Sequence, residues 1–371
     1  MLIRQALPSD NPQLLDFQKH HAMPGRVPLR FDRSPDYFAL HRCHAPDHRT
    51  WLASSEDGVV KGTASLVVRE GYMHHGVEQV AYLGDLRLVP DRALSRSWMA
   101  QVQSRLGELS LETGVQHAYC CVIRDNTLAT RSLLRRRQAN PLKLAHWRGY
   151  SNVSIYAQRG WGSAPRIPAH VRVIQATPSH LDVLRAFIDD ESAQQPFGNV
   201  FSETEFSRRL RDWPGFSLDS FLIAVDPCDN ILGCVAPWDS GQIKRIVVEQ
   251  LPAGHQLLRR GYNALAPLAG RPGVAAPGDA LQDIYLTHLQ IKRRDPAVFA
   301  ALLDVAWAQV RGQYALMQLC LYDGDPLWPA MNRYRSISTA MDLYTAPCNP
   351  EARPFLSENA DRIPGFEIYL V

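Results

Sequence analysis

The chain has 371 residues, of which 46% are hydrophobic and 21% charged, with a formal net charge of only +3. That length exceeds one ordinary core and predicts two domains, while the charge balance excludes a strongly basic nucleic-acid binder. Seven cysteines, odd in number and scattered, make no disulfide framework and read as reduced thiols in a cytoplasm, and no apolar run is long enough for a signal core or a membrane span.

Residues 2–6 read as a strand, followed by Leu7-Pro8-Ser9-Asp10, where Ser9 or Asp10 caps a helix over 13–19. A second helical pattern starts near Ser34-Pro35 and carries Tyr37, Phe38, Leu40 and His41. Three strand-like runs follow at 50–54, 59–68 and 80–89, separated by Asp57-Gly58 and by Gly71 or Gly76. Pro90 ends the third, because proline cannot donate to a ladder. The spacing of Trp98, Met99, Val102, Leu106 and Leu109 predicts a helix over 95–113, closed by Gly114. The run 117–123 reads as a strand buried on both faces. Asp125-Asn126 opens a short helix ending in Arg135-Arg136-Arg137, and an extended segment over 142–158 completes the unit.

Gly and Pro then concentrate over 159–168, a linker, and the order restarts. The stretch Val171-Arg172-Val173-Ile174-Gln175-Ala176-Thr177-Pro178-Ser179, a strand over 171–176, repeats the strand, Gln-Ala and Pro-Ser of Leu2 to Ser9. A helix over 181–192 follows, then strands at 220–225, 231–236 and 282–291, with a helix-and-loop insertion over 251–280. Asp295-Pro296 begins a helix with Phe299, Leu302, Leu303, Val305 and Ala306 on its core face. A strand at 315–322, a helix at 328–334 and strands at 340–345 and 366–371 close the chain. The division is therefore 1–160, a linker at 161–170, and 171–371.

Strand, two helices, a strand meander, helix, strand, helix, strand: this order resembles the GNAT (Gcn5-related N-acetyltransferase) superfamily in a tandem two-domain form. The resemblance implies an α/β (α+β) fold of two GNAT-like domains, each a mixed, mostly antiparallel sheet flanked by helices. Its most specific motifs lie between Ala81 and Asn126. Leu83-Gly84-Asp85-Leu86-Arg87-Leu88-Val89-Pro90 resembles the family's fourth strand, which implies Asp85 as general base and backbone pairing of Leu86, Leu88 and Val89 with the pantetheine arm of an acyl-CoA. Tyr82 and Tyr119 are candidate acids or substrate contacts. The pyrophosphate loop of the family falls on Arg92, Ser95, Arg96 and Ser97, where amides at a helix N-terminus and guanidinium groups suit phosphate. That loop has no glycine here, and Trp98 stands near the family's Gly or Ala. Asn126 with Ala129 resembles the Asn-x-x-Ala motif, but Leu133 stands where the family has its acid Tyr. In the second half Tyr285-Leu286-Thr287-His288-Leu289 matches the fourth strand and Lys292-Arg293-Arg294-Asp295 replaces the loop, so 171–371 reads as the degenerate copy.

The resemblance implies transfer of an acyl group from acetyl-CoA or another acyl-CoA to a small-molecule or peptide amine, without a metal, by a protein that is compatible with a homodimer. Two rivals stand beside it: a catalytically inactive tandem ligand-binding or protein-interaction module, and an aminoacyl transferase on the same fold. His41, Cys43, His44 and His48 match no zinc spacing. Arg26, Arg30 and Arg33 hint at an anionic acceptor group. Arg135-Arg136-Arg137 reads as a solvated helix end, and Trp307, Trp328, Tyr334 and Tyr344 as core.

Overall fold

A computed structural model describes residues 2–20, 28–89, 92–127, 142–159, 167–349, 351–352 and 355–371. In the first half, β1 (Leu2–Gln5), α1 (Asn11–Lys19), β2 (Leu29–Asp32) and α2 (Ala39–His44) precede a meander of β3 (Asp47–Ser54), β4 (Val60–Met73) and β5 (Gly76–Leu88). Then come α3 (Arg92–Thr113), β6 (His117–Ile123) and β7 (Ala145–Gln158). The second half runs β8 (Arg172–Gln175), α4 (Leu181–Ser192), β9 (Gly198–Asn199), α5 (Glu203–Asp212), β10 (Leu222–Val225), β11 (Ile231–Trp238), β12 (Arg245–Val248) and α6 (Ala253–Leu265). It ends with β13 (Asp283–Ile291), α7 (Pro296–Val310), β14 (Leu316–Tyr322), β15 (Tyr334–Pro347) and α8 (Phe355–Asn359).

Helix α3 forms because Trp98, Met99, Val102, Leu106 and Leu109 recur on one face, and that face buries against Ala64, Leu66, Leu83 and Ala118 of the sheet. Helix α7 repeats the arrangement with Phe299, Leu302, Ala306 and Trp307 over Leu222, Val235 and Leu319. Its cap is the predicted one, since the Asp295 carboxylate accepts from Ala297 N at 2.7 Å. Asp10 behaves differently. Its carboxylate takes the Leu7 N–H at 2.7 Å and a forked bond from Arg4, which fixes the turn before α1 without capping the helix.

All but one of the described strands in the main sheet follow the order β1-β3-β4-β5-β6-β15-β7-β14-β13-β11-β10-β8, and β9 pairs with β4. Two neighbouring pairs are parallel, β5 with β6 and β13 with β14, one in each half. The rest are antiparallel. The halves exchange their last strands: β15 lies between β6 and β7, and β7 pairs with β14. The extended segment at 142–158 therefore crosses into the other half's packing, with Val153 and Ile155 buried beside Leu319 and Leu321. β7 mixes Trp147, Tyr150, Val153 and Ile155 with Arg148, Ser151, Asn152 and Ser154, a pattern that marks a strand without choosing its neighbour. A second stitch is the two-stranded ribbon of β2 and β12, where Phe31 stands opposite Ile246.

The closing segment also departs from expectation. Residues 366–371 are not a strand; they end in a buried 3-10 turn, Ile368–Leu370. The helix expected at 328–334 is a 3-10 turn, Trp328–Arg333, followed directly by β15. This tail passes against β9 so closely that a Cβ on Gly365 would stand 2.3 Å from Gly198 Cα and 2.5 Å from its N. Both contacts are backbone, which cannot rotate away. Gly365→Ala is expected to cost about 2–3 kcal/mol in urea unfolding by overpacking. Gly254→Ala, with nothing within 4 Å, is expected to be neutral or mildly stabilising in the same assay.

Candidate functional site

Strand β5 carries a bulge. Its register against β4 shifts between Thr63 and Ser65, so Asp85 and Leu86 together face Ala64. Asp85 sits at φ +50°, and Thr63 Oγ1 donates to its carbonyl at 2.9 Å. The bulge turns the Asp85 carboxylate into the interior, where Arg33 donates to both oxygens at 2.7 and 2.9 Å. His41 Nε2 lies 2.8 Å from Oδ2, and as the carboxylate only accepts, the imidazole is the donor. Arg33 is delivered by the end of the β2 ribbon and His41 by α2.

Burial by itself pushes the Asp85 pKa up, but the Arg33 guanidinium and the His41 bond overcome it and hold the carboxyl well below its ordinary value. Burial lowers His41 against the pull of Asp85, which favours the neutral ring. With Nε2–H given to Asp85, Nδ1 is left as a lone pair, buried and with no hydrogen-bond partner among the described residues. Tyr82 is buried, bonds Cys121 Sγ at 3.4 Å, and has its pKa raised well above 10.0, chiefly by burial, so it keeps its proton. The Tyr119 hydroxyl accepts from Arg69 at 3.1 Å.

Beside this cluster the sheet opens. β5 and β6 pair only at Ala81↔Ala118 and Tyr82↔Tyr119, and β6 continues against β15. From Leu83 to Leu88 that side of β5 faces no strand among the described residues, leaving backbone donors and acceptors for an extended guest. Leu86 and Leu88 are half-buried, and Val89 N donates back to Lys61 O at 2.8 Å. Helix α3 already begins at Arg92, so Ser95, Arg96 and Ser97 lie in its first two turns. With no glycine to hold the segment open, helix extends into the predicted loop, and Trp98 is core. Ser97 is exposed; the side chains of Arg92, Ser95 and Arg96 are outside the described residues. Asn126 follows β6 in a turn, its N–H bonded to Ile123 O at 2.9 Å. Residues 128–141, including Ala129, Leu133 and the Arg135-Arg136-Arg137 run, also lie outside.

The second half repeats the geometry with other chemistry. β13 and β14 separate after Tyr285↔Gln318, and three residues on His288 occupies the matching bulge at φ +49°. In place of a carboxylate–arginine fork, His288 Nε2 lies 3.2 Å from Arg209, which is itself bound by Glu367. The following helix terminus is filled from within: Asp295 occupies the cap and Pro296 has no N–H to offer.

Between the halves lies a polar group that the sequence did not suggest. Lys244 is buried, donates to the carbonyls of Tyr369 at 3.2 Å and Val371 at 2.5 Å, and faces the rings of Phe31 and Tyr285 at 5.2 and 4.9 Å. Burial, with Arg33 adding, lowers its pKa to about 7, while Asp283, Cys121 and Asp85 oppose the shift. Asp283 is raised to about 6, mainly by burial. It accepts from Gln318, whose Oε1 receives Asn152 Nδ2 at 2.9 Å. The only signal for Lys244 was a lysine heading the apolar run Ile246-Val247-Val248.

Arg30 and Arg33 are both committed to carboxylates, Glu249 and Asp85, and Arg26 is outside the described residues, so the hint of an anionic acceptor group is not supported. Among the described residues no group of three or more His, Cys, Asp or Glu is placed to hold a metal ion, and no helix is long and apolar enough to cross a membrane. A surface cleft of about 610 Å³ opens at the other end of β5, with His75, Glu78, Glu351 and Glu358 in its wall. None of the predicted site residues lines it.

No family profile matches the sequence, and no curated protein matches it. Solved structures do. A GCN5-related N-acetyltransferase from Sphaerobacter thermophilus superposes with a TM-score of 0.57 at 14% identity, covering 94% of this chain and 96% of that one. Saccharomyces cerevisiae N-myristoyltransferase with bound myristoyl-CoA gives 0.57 at 9% identity, over 93% and 78%. A probable N-acyltransferase from Enterococcus faecalis gives 0.50 at 10%, over 93% and 72%. The chain has the GNAT fold.

Proposed function

From that fold as premise, we propose that the protein is an acyl-CoA-dependent N-acyltransferase that moves an acetyl or other acyl group to an amine. The observation that carries the reading is the open edge of β5 beside the bulge that buries Asp85 and His41. Residues 1–160 are the acyl-CoA-binding unit, 161–170 the linker, and 171–371 a unit whose equivalent anion site is closed by Asp295 and Pro296. In the first unit the backbone of Leu86, Leu88 and Val89 pairs with the pantetheine arm. Arg92, Ser95, Arg96 and Ser97 hold the pyrophosphate, and Asn126 borders the site. When bound, the thioester supplies the acyl carbon that the amine attacks.

His41 Nδ1 takes the proton that the amine loses, and Asp85 sets the tautomer and orientation that make Nδ1 the accepting atom. Tyr82, held protonated by burial, gives a hydrogen bond to the departing thiolate and keeps its own proton, and the thiolate is neutralised by the proton that left the amine. Asp283, raised to about 6 chiefly by burial and within electrostatic reach of Lys244, receives the ammonium of an incoming small-molecule or peptide amine before it is deprotonated. The setting is cytoplasmic.

The test is calorimetric titration with acetyl-CoA and longer acyl-CoA thioesters, repeated on Arg96→Glu. Saturable binding is expected, weakened about tenfold or more in the variant, since a charge-assisted phosphate contact is worth ~1.5–3 kcal/mol. Absence of heat and of thermal stabilisation with every thioester would overturn the enzyme reading in favour of an inactive interaction module.

A further inference from the structure

Helix α6 is built inside out. Arg259, Asn263 and Ala266, spaced by four and three residues, form the side turned to the protein. Asn263 exchanges two hydrogen bonds with the backbone of Val274, accepting from its N–H at 2.7 Å and donating to its carbonyl at 3.0 Å, and Arg259 reaches the same carbonyl at 3.5 Å. The apolar residues point the other way. Leu257 and Leu258 are each 72% exposed, Leu265 64% and Tyr262 41%, and Leu268, in the 3-10 turn Ala266–Ala269 that prolongs the helix, is 86% exposed. At 100° per residue the four helical side chains span an arc of about 140°. A contiguous face of leucines turned to water is unfavourable unless something covers it.

Charge identifies the cover. From residue 250 to 278 the chain has Arg259, Arg260 and Arg271 and not one Asp or Glu. Of these Arg260 is the exposed one, about 60° beyond the Leu257 end of the arc, whereas Arg259 is turned to the protein and Arg271 lies over the Trp307 ring and donates to the Tyr156 carbonyl. A second copy of the same face would bring like charges together across a two-fold axis with no acidic residue in the segment to balance them. A partner that is apolar within and anionic at its rim meets both requirements.

We propose that α6 is an interfacial membrane-binding helix, which lays Leu257, Leu258, Tyr262, Leu265 and Leu268 into the acyl boundary of a bilayer rich in anionic phospholipid while Arg260 meets the headgroup phosphates. This site is independent of the acyl-transfer reading and brings the protein to a membrane surface without crossing it.

The test is co-sedimentation of the full chain with phosphatidylcholine vesicles, with and without phosphatidylglycerol, together with sedimentation velocity of the protein alone. The expected result is binding to the phosphatidylglycerol vesicles that falls as salt is raised, and little binding to phosphatidylcholine alone. Leu258→Glu/Leu265→Glu is expected to reduce that binding at least about tenfold, with the thermal melt unchanged because both side chains are exposed. Arg260→Glu, which keeps the leucines, is expected to lose about fivefold and the preference for anionic lipid. A monomer that ignores both vesicles overturns the proposal. So does a dimer that ignores vesicles and is dispersed by Leu258→Glu/Leu265→Glu, which would assign the face to a second copy.

Discussion

Asp85→Asn is expected to lower kcat for acyl transfer by about two to three orders of magnitude with little change in KM for the thioester, because the loss falls on proton transfer. The carboxylate fixes Nε2 of His41 as the donor at 2.8 Å; an amide can present its N–H₂ to the same nitrogen and move the ring proton to Nδ1. The accepting atom is then occupied. The same change leaves the Arg33 guanidinium, whose side chain is 3% exposed, without its countercharge, and removing one partner of a buried pair costs ~3–5 kcal/mol. His41→Ala separates the two effects. It removes the proton acceptor while the Arg33–Asp85 fork survives, so activity falls as far with a smaller loss in urea unfolding. An Asp85→Asn enzyme of unchanged kcat would remove Asp85 and His41 from the chemistry.

The other large effect is expected in the second half. Arg209 is fully buried, gives its terminal nitrogens to Glu367 at 2.6 and 2.9 Å and its Nε to Glu205 at 2.8 Å, and lies 4.7 and 4.9 Å from the rings of Phe201 and Trp213. Glu367→Ala is expected to destabilise the protein by ~3–5 kcal/mol, whereas Arg209→Met/Glu367→Leu, which removes both charges, should recover most of it. Urea unfolding measures both. Burial would raise the Glu367 pKa, but Arg209 depresses it far below 4.5. A carboxyl with a depressed folded pKa stabilises fully above its unfolded value and loses that contribution as pH falls toward the folded one. Asp85 obeys the same sign from 3.8. Stability should therefore drop as pH falls below about 4.5, and less steeply in the double variant.

What could be read from the chain was local. The turn Asp57-Gly58, the apolar spacing of α3 and the Asp295-Pro296 start of α7 are each written within a few residues, and the structure has all three. The matched Tyr82-Leu83-Gly84-Asp85 and Tyr285-Leu286-Thr287-His288 mark the same bulge twice. What could not be read depends on distant partners. Nothing near Asp85 in sequence announces Arg33 and His41, which lie 52 and 44 residues away. Lys244 and Asp283 become neighbours only through the β2–β12 ribbon and the central strands. Helix α5 has its apolar residues hidden among Arg208, Arg209 and Arg211, two of which turn inward to carboxylates, so its pattern resembles a solvated helix.

The exchange of last strands bears on how the chain is made. The edge of β6 is not covered until β15 reaches it, and β7 waits for β14 and β15. As the polypeptide leaves the ribosome, the first half stays an unfinished sheet until Pro347 has emerged, long after β6 and β7. Two strand edges are open to strangers through about half of translation, which makes this fold one whose yield depends on the speed of synthesis and on the company of chaperones.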